Sequence, residues 1–106
     1  MKIKVKNMTS NRSGRPVANQ FIIYTSEGKY FQSYDSVIAF KDNEGNVTLD
    51  DYTWDYSRTT GKYRNEFLGE GIVDTRSKIE SGKYKLENLN KLWVSITDGV
   101  TTLRGA

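Results

Sequence analysis

Cysteine and histidine are absent from the 106-residue chain, and proline occurs once. Without cysteine there can be no disulfide staple, no thiol nucleophile and no thiolate-ligated zinc. Without histidine the chain lacks the commonest general base and transition-metal ligand at neutral pH. Any acid–base catalysis would fall to carboxylates, lysine or tyrosine. No run approaches the 18 apolar residues of a membrane-spanning helix. The start, Met1-Lys2-Ile3-Lys4-Val5-Lys6, is basic but has no apolar stretch behind it, so no secretory signal is readable. Repeats, low-complexity runs and Pro- or Gly/Ser-rich linkers are missing as well, which leaves one domain over 1–106.

What the chain does have is rings and charge. Seven tyrosines, four phenylalanines and two tryptophans make 12% of the residues, enough to fill a core in which aliphatics are scarce. A chain of this length buries about 65% of its unfolded surface, which suits a single core of two layers. The net charge is +3, but it is unevenly laid out. Lys2, Lys4, Lys6, Arg12 and Arg15 meet no acid in the first twenty residues, whereas Asp42, Glu44, Asp50, Asp51 and Asp55 meet no base. Arg58, Lys62 and Arg64 then follow unopposed.

The pattern along the chain predicts an α+β fold, mostly antiparallel sheet with two short helices placed late. Lys2 to Val5 alternates, with Ile3 and Val5 expected inward and the lysines outward. Residues 11–16 read as a loop. Val17 to Thr25 is apolar on both faces and suits a central strand, turning at Ser26-Glu27-Gly28 into a partner over Lys29 to Tyr34. Strands are expected at 37–40 and 47–49 around the turn Asp42–Asn46. If extended, Tyr52, Trp54 and Tyr56 line one face, and Phe21, Ile23 and Trp54 are expected in one core. Thr59 or Thr60 is expected to cap a helix ending at Leu68, with Gly69 after it and Tyr63 and Phe67 inward. Asp74 is expected to cap a second helix closed by Gly82. Residues 91–106, with Asp98-Gly99, read as a C-terminal hairpin.

Motifs for chemistry are weak. Asp50, Asp51 and Asp55 have the oxygen chemistry of a magnesium site, yet adjacent strand residues point apart, and a solvated acidic turn accounts for them. The Asp42–Asn46 run fails as a calcium loop because Thr53 stands at its twelfth position. Neither metal nor cofactor is expected. The segment with the makings of a surface is Tyr56, Arg58, Lys62 and Arg64. Aromatic and arginine side chains concentrate at protein interfaces, and a helix from 59 would leave Arg58 free and Lys62 and Arg64 flanking the buried Tyr63 line.

Several phrases resemble a family. They are Asn19-Gln20-Phe21-Ile22-Ile23, the run Tyr30-Phe31-Gln32-Ser33-Tyr34-Asp35-Ser36-Val37-Ile38-Ala39, the phrase Trp54-Asp55-Tyr56-Ser57, and Thr59-Thr60-Gly61-Lys62-Tyr63-Arg64-Asn65-Glu66-Phe67-Leu68-Gly69. The chain resembles, over about residues 1–90, small uncharacterised proteins of bacteriophages and bacterial mobile elements. That resemblance supplies no activity and no catalytic residue. It implies a setting in the bacterial cytoplasm and a non-enzymatic accessory protein that binds a host or defence-system protein, such as an anti-CRISPR or other counter-defence inhibitor. In that reading Tyr56, Arg58, Lys62 and Arg64 form the contact and the acidic 42–55 segment a second one. The alternative is weak nucleic-acid binding by Lys2, Lys4, Lys6, Arg12 and Arg15.

Overall fold

The computed structural model describes residues 3–90; Lys2 and the expected hairpin of 91–106 lie outside the described residues. The fold is α+β. Six strands run β1 (Lys4–Thr9), β2 (Pro16–Thr25), β3 (Gly28–Ser33), β4 (Ser36–Asp42), β5 (Val47–Asp50) and β6 (Lys85–Glu87), and they lie side by side in that order. The first five form an antiparallel meander. The last pair, β5 and β6, is parallel. A parallel pair needs a crossover, and two helices supply it: α1 (Arg58–Leu68) and α2 (Ile72–Glu80).

Register fixes which side chains share a face. Lys6, Ile22, Phe31, Ala39 and Leu49 are directly opposed from strand to strand, so they lie in one row on the helix-bearing face. There Phe31 stacks on Phe67 of α1 with ring centroids 5.8 Å apart. Met8, Ile38, Val47, Tyr63, Leu68 and Tyr84 complete this core, and Trp54 and Ile79 border it. Val5, Ile23, Tyr30, Phe40 and Thr48 form the matching row on the other face, where the rings of Tyr30 and Phe40 stand 4.5 Å apart. Phe21 and Ile23 therefore do not share a core with Trp54. Strand parity places them on opposite sides of the sheet, which a reading of apolar residues alone does not separate.

Edge strand β1 reverses another expectation. Ile3 and Val5 are 52% and 59% exposed, while Lys4 and Lys6 share the face of Met8. Val5 stands in the row on the face away from the helices, and the main helix contacts fall on β3 and β4, so the apolar side chains stay exposed while the lysines take the outer end of the helix-bearing face. At the start of β3, opposite Asp42 of β4, Gly28 has φ 152°, and a Cβ there would stand 2.3 Å from the Lys41 carbonyl oxygen, so only glycine fits.

Both helices begin elsewhere than the pattern indicates. Ser57, at φ −152°, is the N-cap of α1, and its hydroxyl accepts from the Thr60 backbone N–H. Arg58 is thus the first helical residue rather than a residue ahead of the cap. The end is as expected: Gly69 takes φ 73° and donates to the Asn65 carbonyl, and Tyr63 and Phe67 are buried. Gly71 rather than Asp74 is the N-cap of α2, and Asp74 falls in its first turn. Gly82, at φ 85°, lies just past the end.

Candidate functional site

Residues 51–57 connect β5 to α1 as a series of turns, not as an extended strand. The cause is Asp50, which is buried and not part of a solvated acidic turn. Its Oδ2 accepts from the backbone N–H groups of Tyr52 and Thr53 at 3.1 and 2.8 Å and from the Thr53 hydroxyl at 2.8 Å. Its Oδ1 accepts from the Leu89 N–H at 2.9 Å. Four donors satisfy the carboxylate without a cation, and they curl the chain back on itself. Tyr52 is thereby turned out to 86% exposure while Thr53 is buried and Trp54 is half-buried. The aromatic stripe expected at 52, 54 and 56 does not form, because its two-residue spacing has meaning only in a strand.

Arg64 is the largest departure at the expected contact. It is 1% exposed and serves as an internal clamp. Its Nη1 donates to the Trp54 carbonyl at 2.7 Å and to Asp55 Oδ1 at 3.0 Å, and its Nη2 donates to Asn65 Oδ1 at 2.9 Å. Its guanidinium lies 5.4 Å from the Trp54 ring centroid. Asp55 also pairs with Arg76 of α2 at 3.3 Å, so one carboxylate ties the loop to both helices. Helix phase explains the error: Arg64 follows Tyr63 by one residue, but the loop folds over that side of α1 and buries it.

Tyr56, Arg58 and Lys62 remain at the surface. Arg58 and Lys62 stand four apart on α1 and make no ion pair among the described residues. The structure therefore leaves Tyr56, Arg58 and Lys62 exposed, as it does Tyr52 in the preceding turn, and takes Arg64 off the surface. The acidic stretch does not act as one surface either. Asp50 is buried, Asp55 is paired, and Asp42 accepts from Glu44 and Asn46 within its own turn. The Asn46 backbone and side-chain donors hold the Asp42 carboxyl below the usual carboxylate range.

The N-terminal cations divide as well. Arg12 and Arg15 are exposed in the β1–β2 loop, at one end of the ribbon. Lys4 lies toward the other end, where it is directly opposed to Tyr24, which is opposed to Lys29, which is opposed to Lys41. Lys6 stands in the next row of the same face. Lys29 and Lys41 went unnoticed in the sequence. Each is an unremarkable strand lysine until register places them side by side.

Glu70 anchors α2. Burial alone would raise its carboxyl, but hydrogen bonds from Lys78, Thr75 and Tyr84 outweigh this and hold it below the ordinary range. Among the described residues no group of three acidic, histidine or cysteine side chains could hold a metal ion. No helix there is long and apolar enough to cross a membrane.

The molecule is thus a small meander-sheet domain with a helical crossover and a rim of exposed tyrosines and cations. Its chain belongs to a family of unknown function, DUF8033, whose model matches residues 3–86. No curated protein matches, and no solved structure does.

Proposed function

We propose that the protein is a non-enzymatic binding module that docks on a bacterial host or defence-system protein through Tyr52, Tyr56, Arg58 and Lys62. The observation that carries this reading is Tyr52. A tyrosine 86% exposed has no packing role, yet its backbone N–H is tied to the buried Asp50 carboxylate. A ring held out on a pinned loop loses little conformational freedom when it is covered, which is what an interface anchor requires. Arg58 and Lys62, in no ion pair among the described residues, supply directional and long-range attraction for a partner carboxylate. Inhibition would follow by occlusion of the partner's working surface, in keeping with the phage or mobile-element setting that the sequence phrases imply.

The test is affinity capture from bacterial lysate, with and without nuclease, by the wild-type protein, Tyr52→Ala and Arg58→Glu/Lys62→Glu. A protein partner that survives nuclease and is lost in both variants, with their melting temperatures unchanged, supports the proposal. A partner retained by both folded variants refutes it.

A further inference from the structure

The lysine row is a second surface, independent of the tyrosine rim. We propose that Lys4, Lys6, Lys29 and Lys41, with Tyr24 as a stacking platform, form a binding site for single-stranded nucleic acid on the sheet face beside α1. Lys4, Tyr24, Lys29 and Lys41 are consecutive register partners across β1 to β4. At about 4.8 Å per strand the row spans roughly 14 Å across the sheet. None of the four lysines makes an ion pair among the described residues.

Like charges directly opposed on neighbouring strands are destabilising, and Lys29 faces Lys41 in this way. A phosphate between the two ammonium groups removes that repulsion, so the opposed pair is arranged to accept an anion. Tyr24 lies between Lys4 and Lys29 and is 38% exposed, with its row on the face that carries α1. Lys29 Nζ stands 5.9 Å from the Phe67 ring centroid, so α1 forms one wall of the surface.

This geometry selects among polyanions. Reading a duplex in its major groove needs an inserted helix or two-stranded ribbon, whereas the row lies in the plane of the sheet. An exposed ring flanked by cations suits an unstacked base with phosphates on either side, which only a single strand offers. Tyrosine stacking is tolerant of sequence, so the site takes single strands of any composition.

The experiment is fluorescence anisotropy with a labelled oligothymidine of about twenty nucleotides, its duplex with oligoadenine, and inorganic polyphosphate as competitor. Four lysines on a single strand predict a slope of log K against log salt of about −2.8, a loss of roughly 50-fold between 50 and 200 mM. Lys29→Gln/Lys41→Gln should make the slope shallower by about 1.4 while leaving the melting temperature the same or higher. Tyr24→Ala should weaken binding by roughly 5- to 150-fold with the slope unchanged, and Tyr24→Phe should retain it. Four results would overturn the proposal: no binding of the oligonucleotide at 50 mM salt, duplex bound as tightly as the single strand, a Tyr24→Ala variant with wild-type affinity, or polyphosphate displacing the probe as well as unlabelled oligothymidine does.

Discussion

Replacing Arg64 separates a structural cation from its two exposed neighbours, and the effect can be worked from its contacts. Arg64→Ala removes charge-assisted bonds to Asp55, to the Trp54 carbonyl and to Asn65 Oδ1, the last on a partly exposed side chain that water can satisfy. Bonds involving a charged group contribute about 1.5–3 kcal/mol each, and the buried stem adds roughly 1–2 kcal/mol. Three factors reduce the sum. Asp55 is one-third exposed and keeps Arg76, so it is not left as a stranded ion. Arg64 Nε is buried without a partner among the described residues, so its desolvation cost disappears with the side chain. The released carbonyl can also regain water. A net loss of about 3 kcal/mol follows, from a total stability of roughly 5–15 kcal/mol for a chain this long. At about 4–8 °C per kcal/mol the melting temperature should fall by roughly 12–24 °C. Arg64→Lys should recover little of it, because a single ammonium cannot span three acceptors in a plane. Arg58→Glu/Lys62→Glu should move it by only a few degrees. Those two acids would sit near the start of a helix whose first turn holds none, where the macrodipole favours them. Thermal melts followed by far-UV circular dichroism decide the matter. An Arg64→Ala protein melting within about 3 °C of wild type would show that the clamp contributes nothing and return Arg64 to the surface.

Other variants probe the rest of the framework. Asp50→Asn leaves donors of the 51–53 turn without an acceptor, and urea unfolding should show a loss of about 2–4 kcal/mol; an unchanged midpoint would show the turn stands without it. Gln20 is fully buried, and among the described residues neither amide atom is hydrogen-bonded, so Gln20→Leu should raise stability by about 1 kcal/mol in the same assay, and a loss would show the amide is satisfied. Glu70 has a carboxyl held below its unfolded value, so its contribution is present above the unfolded pKa and lost as pH falls through the folded one. Stability measured against pH should therefore drop in acid for wild type and less steeply for Glu70→Gln, and parallel curves would contradict the assignment. Gly28→Ala should fail to fold or melt far lower, because its Cβ would meet the Lys41 carbonyl.

The sequence by itself determined the local structure where a short-range signal was enough. Apolar runs between turn signals marked β2 to β5, with alternation adding to the signal at Val47 to Leu49. Tyr63 and Phe67 at four-residue spacing, closed by Gly69, marked α1, because a left-handed residue ends a helix wherever the chain places one. The missing cysteine and histidine removed whole classes of chemistry without any coordinates. Caps were less legible: Ser57, Thr59 and Thr60 are all competent, and which one serves depends on how the preceding loop is held.

Tertiary structure decided everything that depends on residues far apart in the chain. Asp50 reads as one more carboxylate in an acidic run, and only the return of Leu89 and the curl of 52–53 make it buried and satisfied. Arg64 reads as a surface cation, and only the loop folded over α1, with Asp55 and the Trp54 carbonyl, draws it inside. Lys4, Lys29 and Lys41 are spread over 38 residues of sequence, and strand register brings them into one row. A charge near the chain's own backbone carries no mark of its partner, because Coulomb and hydrogen-bond energies depend on distance in space. Periodicity reports which face a residue occupies, but the neighbours it meets there are set by how the strands and helices come together.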